Sequence, residues 1–225
     1  MKLLRWIPLG LLAVAASGAN AATFSVDLNK YLTGTEGYNW TPFTVATLTF
    51  TDIGPDTVSV SIQHYANSLA GDQFISAIWF GINPLVDPLV QANQTPANIF
   101  NGGINIAPNG HNGIGANYNF QLELEQLFKN GAQNRFEEGT TASFTLSGLG
   151  VDAMDFATTA NGGSGLINAA IHLQGLPTGA SIKVGGYNEE FPPTEVVPEP
   201  ASMAMAGFAA FAAIAGRRRA KAAKK

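Results

Sequence analysis

The sequence predicts an all-β protein: a single antiparallel β-sandwich, of jelly-roll or immunoglobulin-like type, carried between two terminal segments that lie outside the fold. Three observations lead there. Short apolar–polar alternations recur along the middle of the chain, glycine-rich joins separate them, and no long helical periodicity interrupts them. With 46% apolar and only 12% charged residues the chain is too hydrophobic to be disordered. It has no cysteine, which excludes a disulfide framework, thiolate metal sites and a cysteine nucleophile.

The first clear element is Thr44 to Phe50, with Ala46, Leu48 and Phe50 on one face. Thr57 to His64 follows, with Val58, Val60 and Ile62 together. Asp52-Ile53-Gly54-Pro55-Asp56 between them has turn composition, so the pair reads as a hairpin with one apolar and one hydroxyl face. Phe74 to Ile82 is nearly continuous in apolar residues, the pattern of a central strand covered on both sides. Phe120, Leu122 and Leu124 alternate with Gln121, Glu123 and Glu125, and Phe144 and Leu146 with Ser143, Thr145 and Ser147. Ile167 to Leu173 and Ala180 to Val184 complete the expected strands. A helix over Glu123 to Lys129 competes at one point, because Leu124, Leu127 and Phe128 also fit helical spacing.

The chain opens on a cleavable address. Lys2 and Arg5 precede an apolar run from Trp6 to Ala16, and small residues then end in Ala19-Asn20-Ala21. Positive start, short apolar run and A-x-A site form a secretory signal, with cleavage expected after Ala21 by signal peptidase. Its eleven apolar positions fall well short of the ~20 that a membrane span needs.

The other end has three parts. Pro198-Glu199-Pro200 precedes Ala201 to Gly216, sixteen residues without charge, and then six cations crowd Arg217 to Lys225. As a helix the uncharged run reaches about 24 Å, less than the ~30 Å hydrocarbon core, so it inserts only marginally. Its basic end stays cytoplasmic while the signal sends the body outward. Residues 1–21, 22–195 and 196–225 are therefore read as signal, β domain and tail.

The order Val197-Pro198-Glu199-Pro200-Ala201-Ser202, apolar helix, Arg217-Arg218-Arg219 resembles the PEP-CTERM sorting signal. Such tails occur on exported proteins of Gram-negative bacteria. The resemblance implies recognition and cleavage by exosortase, with Pro198, Glu199 and Pro200 as the recognition core and Arg217, Arg218 and Arg219 as the stop. It also implies transient inner-membrane insertion, delivery to the cell surface or matrix, and a structural or adhesive association with exopolysaccharide in a biofilm. Asn134 to Leu149 and Ala170 to Gly175 are similar to stretches found ahead of these tails, and imply a β-rich exported body with no assigned activity.

Charge narrows the partners. Residues 22–195 hold fifteen acids against Lys30, Lys129, Arg135 and Lys183, a net charge of −11. Nucleic-acid affinity rests on bases neutralising phosphates, so this body binds none.

A search for chemistry finds no catalytic constellation, no metal set and no cofactor motif. His64, His111 and His172 lie far apart, with no H-E-x-x-H spacing. Gly162-Gly163-Ser164-Gly165-Leu166 fails the last position of the G-x-S-x-G elbow. Glu123 and Glu125 share a strand face at a spacing a glycosidase could use, but a solvated face explains them equally. The most unusual stretch is Asn93 to Asn119, read as one long connection or as a ligand loop for sugar hydroxyls. Its candidates are Asn101, Asn105, Asn109, His111, Asn112 and Tyr118, with Phe100, His111 or Tyr118 as a stacking surface. No acid lies between Asp87 and Glu123, which disfavours calcium. The expected protein is not an enzyme; a secreted carbohydrate-active hydrolase or a carbohydrate-binding module is the alternative.

Overall fold

The computed structural model describes residues 21–35, 41–66, 72–97, 99–100, 103–111, 114, 118, 120–125, 135–160 and 165–188. Ala19 and the 196–225 tail lie outside these, as do residues 126–129 of the competing helix. Among the described residues there is no α-helix, and two antiparallel sheets account for the architecture. The strands are β1 (Thr23–Leu28), β2 (Lys30–Gly34), β3 (Ala46–Gly54), β4 (Thr57–His64), β5 (Phe74–Phe80) and β6 (Val90–Thr95). They continue as β7 (Ile104–His111), β8 (Phe120–Glu125), β9 (Phe136–Glu137), β10 (Thr141–Ser147), β11 (Ala169–Gln174) and β12 (Ile182–Gly186). The smaller sheet runs β1-β3-β4-β10-β6, and the larger β2-β12-β11-β5-β8-β7 with β9 also on β5.

Alternation sets these registers. Phe50, Leu48 and Ala46 of β3 face Val60, Ile62 and His64 of β4, so the apolar set of the hairpin lands on one side. Asp56 turns the hairpin at φ 55°, a left-handed conformation that Asp tolerates better than most residues. β1 lies directly after the signal-like segment and brings Phe24, Val26 and Leu28 against β3. β5 is central, paired to β11 on one side and to β8 and β9 on the other. Its residues from Ala77 to Phe80 are buried on both faces. At β8 the strand reading holds through Glu125, because Leu122 and Leu124 pair with Phe80 and Ile78. Cross-strand partners decide where local spacing is ambiguous.

The apolar faces of the two sheets meet. Phe50 of the smaller sheet lies 5.5 Å from Phe80 of the larger, edge to face, and 6.0 Å from Phe24. A 3₁₀ turn, Ala153–Ala157, inserts Phe156 beside them, stacked 4.4 Å from Phe50. A second aromatic group sets Phe100 between Phe136 (6.1 Å) and Phe144 (5.8 Å). The Gln94 side chain holds Phe100 there by bonding both its N–H (2.9 Å) and its carbonyl (3.1 Å).

After β12 the chain crosses to β1. Asn29 N–H donates to the Gly185 carbonyl at 3.1 Å, and Gly186 rests so closely on the Asp27 carbonyl that no Cβ fits. Asn188 then donates from Nδ2 to the Ser25 carbonyl at 2.6 Å. Buried Asn168 fixes this crossing. Its Oδ1 accepts from Asn188 N–H (2.9 Å), while its Nδ2 donates to the carbonyls of Ala157 (2.8 Å) and Thr158 (3.0 Å).

Candidate functional site

The Asn93–Asn119 stretch is not one connection. It contains the end of β6 and all of β7, where Ile104 and Ile106 pair with Leu124 and Leu122. Asn and Gly composition concealed a strand that its neighbours specify. Asn101 and Asn112 lie outside the described residues, and Asn109 and His111 take their places on β7, His111 opposite Phe120. Asn105 is exposed on β7 opposite Glu123. Tyr118 is only 2% exposed and packs with Trp79, Ile114, Phe120 and Ala170, while Phe100 is wholly buried. These two rings therefore anchor the segment from inside and present no stacking surface to solvent. Ala21 is exposed, two residues before β1.

The structure gathers a different polar group on the outer face of the larger sheet. Leu122 and Leu124, Ile171 and Leu173, and Ile182 and Val184 point into the core, so Glu123, His172 and Lys183 point away from it. Trp79 donates its indole N–H to Glu123 Oε1 at 2.6 Å, a short charge-assisted bond. Lys183 Nζ sits 5.7 Å above the Trp79 ring, within cation–π range. The His172 ring is 6.5 Å from that of Trp79, and Gln174 Nε2 contacts His172 Nδ1 at 3.3 Å. Burial, and then the neighbouring Lys183 charge, lowers the His172 pKa. Burial likewise lowers Lys183, partly offset by Glu123. Trp79 itself is only 6% exposed and packs with Tyr118, so the group offers its polar atoms rather than an open ring. Sequence reading missed it because Trp79, Glu123, His172 and Lys183 sit on four separate strands.

The outer face of the smaller sheet is a lattice of hydroxyls. Ser25, Thr49, Ser61, Ser143 and Thr95 form one cross-strand row, and Thr23, Thr51, Ser59 and Thr145 the next. Neighbouring strands are ~4.8 Å apart and alternate residues about 6.8 Å apart, which sets the repeat. Ser25 Oγ donates to Thr49 Oγ1 at 2.9 Å, and Asn93 Nδ2 to Thr145 Oγ1 at 3.2 Å. The hairpin's expected hydroxyl face thus extends across β1, β3, β4 and β10, with Thr95 of β6 at its edge.

Four acids meet near the Ala153–Ala157 turn, and each accepts from backbone. Asp52 takes Ala153 N–H (2.7 Å), Asp56 takes Gly150 N–H (2.6 Å), and Asp152 and Asp155 close a reciprocal capping box. Among the described residues no three His, Cys, Asp or Glu side chains form a group that could hold a metal ion. Also among them, no helix is long and apolar enough to cross a membrane.

Residues 196–219 match the PEP-CTERM protein-sorting motif. The match covers the segment containing Pro198, Glu199, Pro200 and Arg217 to Arg219. It marks an exported protein sorted to the cell surface by an exosortase-like enzyme. No curated protein and no solved structure matches the chain.

Proposed function

We propose that the chain is a structural or adhesive surface protein, delivered by signal cleavage after Ala21 and transient membrane insertion of residues 201–216. Its two-sheet sandwich, residues 22–195, then contacts exopolysaccharide or biofilm matrix through the hydroxyl lattice of the smaller sheet. That lattice is the observation that carries the reading. A broad, regular array of donors and acceptors suits repetitive polyhydroxyl polymers through many weak contacts, which sum by multivalency. The body's net charge of −11 keeps it soluble meanwhile.

A second reading has its own support. The Glu123–Lys183–His172 group, ordered around buried Trp79, brings fixed polar side chains from separate strands together, as a carbohydrate-binding module or hydrolase requires. Co-sedimentation of the chain with its host's exopolysaccharide separates the two. If Thr49→Lys with Ser61→Lys abolishes binding and Trp79→Phe with Glu123→Gln does not, the lattice is the contact. The reverse pattern removes the adhesive-face reading.

A further inference from the structure

Both ends of the described chain point to one pole of the smaller sheet. The start of β1, the β3–β4 turn, the end of β10 and the start of β6 all lie there, as the registers Thr23↔Thr51, Gly54↔Thr57, Ser147↔Thr57 and Ser147↔Val90 require. Ala22 accepts from Asp52 N–H at this pole. The departing segment passes Asp27 at Gly186 and reaches Ser25 at Asn188, so it too travels toward residue 22.

The same pole carries unusual apolar exposure. Among the described residues four large hydrophobic side chains are exposed, and three of them are here: Ile53 at 56%, Val90 at 54% and Leu149 at 89%. Single exposed hydrophobes need no explanation, but a group at the pole where β1 begins and toward which residues 186–188 run does. Asp52, Asp56 and Asp152 beside them are engaged by backbone N–H groups. Their charge disfavours an anionic surface, which leaves a zwitterionic one.

From this we infer that the pole bearing Ile53, Val90 and Leu149 is a lipid-contacting surface, seated on a zwitterionic bilayer while the tail remains inserted. The inference rests on the reading that residues 201–216 enter the membrane. Twelve residues separate Asn188 from Ala201 and span at most about 43 Å. A tether of that length holds the body at a high effective concentration near the bilayer, so a weak apolar contact suffices to orient it. With the pole on the lipid, the tail's Pro198-Glu199-Pro200 segment is kept at the membrane surface, and cutting the tail releases the contact.

The chain lacks cysteine, so single labels are simple to place. Ile53→Cys, Leu149→Cys and, at the opposite end of the sheet, exposed Thr141→Cys are made in the full chain. Each carries a polarity-sensitive fluorophore, and the chain is reconstituted in phosphatidylcholine vesicles. Labels at 53 and 149 are expected to be quenched by lipid-borne quencher at least about twofold more than the label at 141. Equal quenching at all three, in a chain that floats with the vesicles, overturns the lipid-facing pole and leaves the tail reading intact. A chain that does not float overturns both. Concentration-dependent burial of the 149 label without vesicles assigns the pole to self-association instead, and the inference is wrong.

Discussion

Asn188, the last described residue, is bonded through its side chain to the carbonyl of Ser25, four residues from the expected signal-cleavage point at Ala21. The two ends of the body are thereby tied together, and the tie depends on Asn168. All three polar functions of that buried amide are used: its carbonyl by Asn188, and its NH₂ by the Ala157 and Thr158 carbonyls.

Asn168→Ala should therefore destabilise the protein by about 1–3 kcal/mol, since it leaves buried carbonyls unpaired. For a body of this size that lowers Tm by roughly 3–10 °C. Thermal unfolding followed by circular dichroism measures it. A change within 1 °C would mean that the amide is dispensable.

Gly186→Ala tests the close crossing onto β1. A methyl at this position meets the Asp27 carbonyl and the Val26 side chain. The strand must shift, at a cost of about 1–3 kcal/mol. Gly150→Ala has space around it, so only its left-handed backbone conformation (φ 81°) resists the change. Urea midpoints should place Gly186→Ala below Gly150→Ala.

Buried His64 and half-buried Asp155 give pH dependences of opposite sign. Burial lowers His64 from 6.5 to about 4, and its Nε2 finds no partner while its Nδ1 is 3.3 Å from the Phe136 carbonyl. The unfolded chain thus takes up a proton that the folded one refuses, and stability falls as pH drops from 6.5 toward 4. Burial first, then the Asp152 and Asp52 charges, pushes Asp155 up from 3.8 to about 6. There the folded state holds the extra proton, and stability falls as pH rises from about 4 to 6. The wild type should be nearly flat in this window. Asp155→Asn should expose the rise with pH, and His64→Phe the decline. Parallel urea titrations at pH 4, 5 and 6.5 decide it; identical profiles for both variants would contradict the assignment.

The tail prediction is independent of the body. Replacing Pro198-Glu199-Pro200 by three alanines should leave export unchanged but retain a signal-cleaved chain in the membrane. Intact mass gives the outcome: wild-type product from the surface or medium should lack residues 1–21 and end near Pro198. Release of the triple-alanine variant at the wild-type rate would refute recognition at that motif.

Much of the fold was legible because a half-buried strand writes period two into its sequence. Val58, Val60 and Ile62 gave β4, and Phe144 and Leu146 gave β10, since each strand has one buried and one partly exposed face. β7 was not legible: Asn105, Asn109 and Gly110 carry turn chemistry, and only the partners Leu122 and Leu124 make Ile104 and Ile106 a strand. β1 is masked by the signal-like segment just before it, although Phe24, Val26 and Leu28 alternate cleanly. The functional readings divided differently. The tail is a linear motif and could be read directly. Trp79, Glu123, His172 and Lys183 become neighbours only through the strand order β12-β11-β5-β8, which no local pattern encodes.

The crossing of residues 185–188 along β1 has one more consequence. β1 is the outermost strand of its sheet, and an outermost strand with bare backbone invites another chain to add on. Here the Asn188 amide caps the Ser25 carbonyl, and Gly186 rests on the Asp27 carbonyl. A cut near Pro198 falls downstream of that cover. The Ser25 carbonyl is thereby withheld from another strand, and the cover lies within the body rather than in the tail.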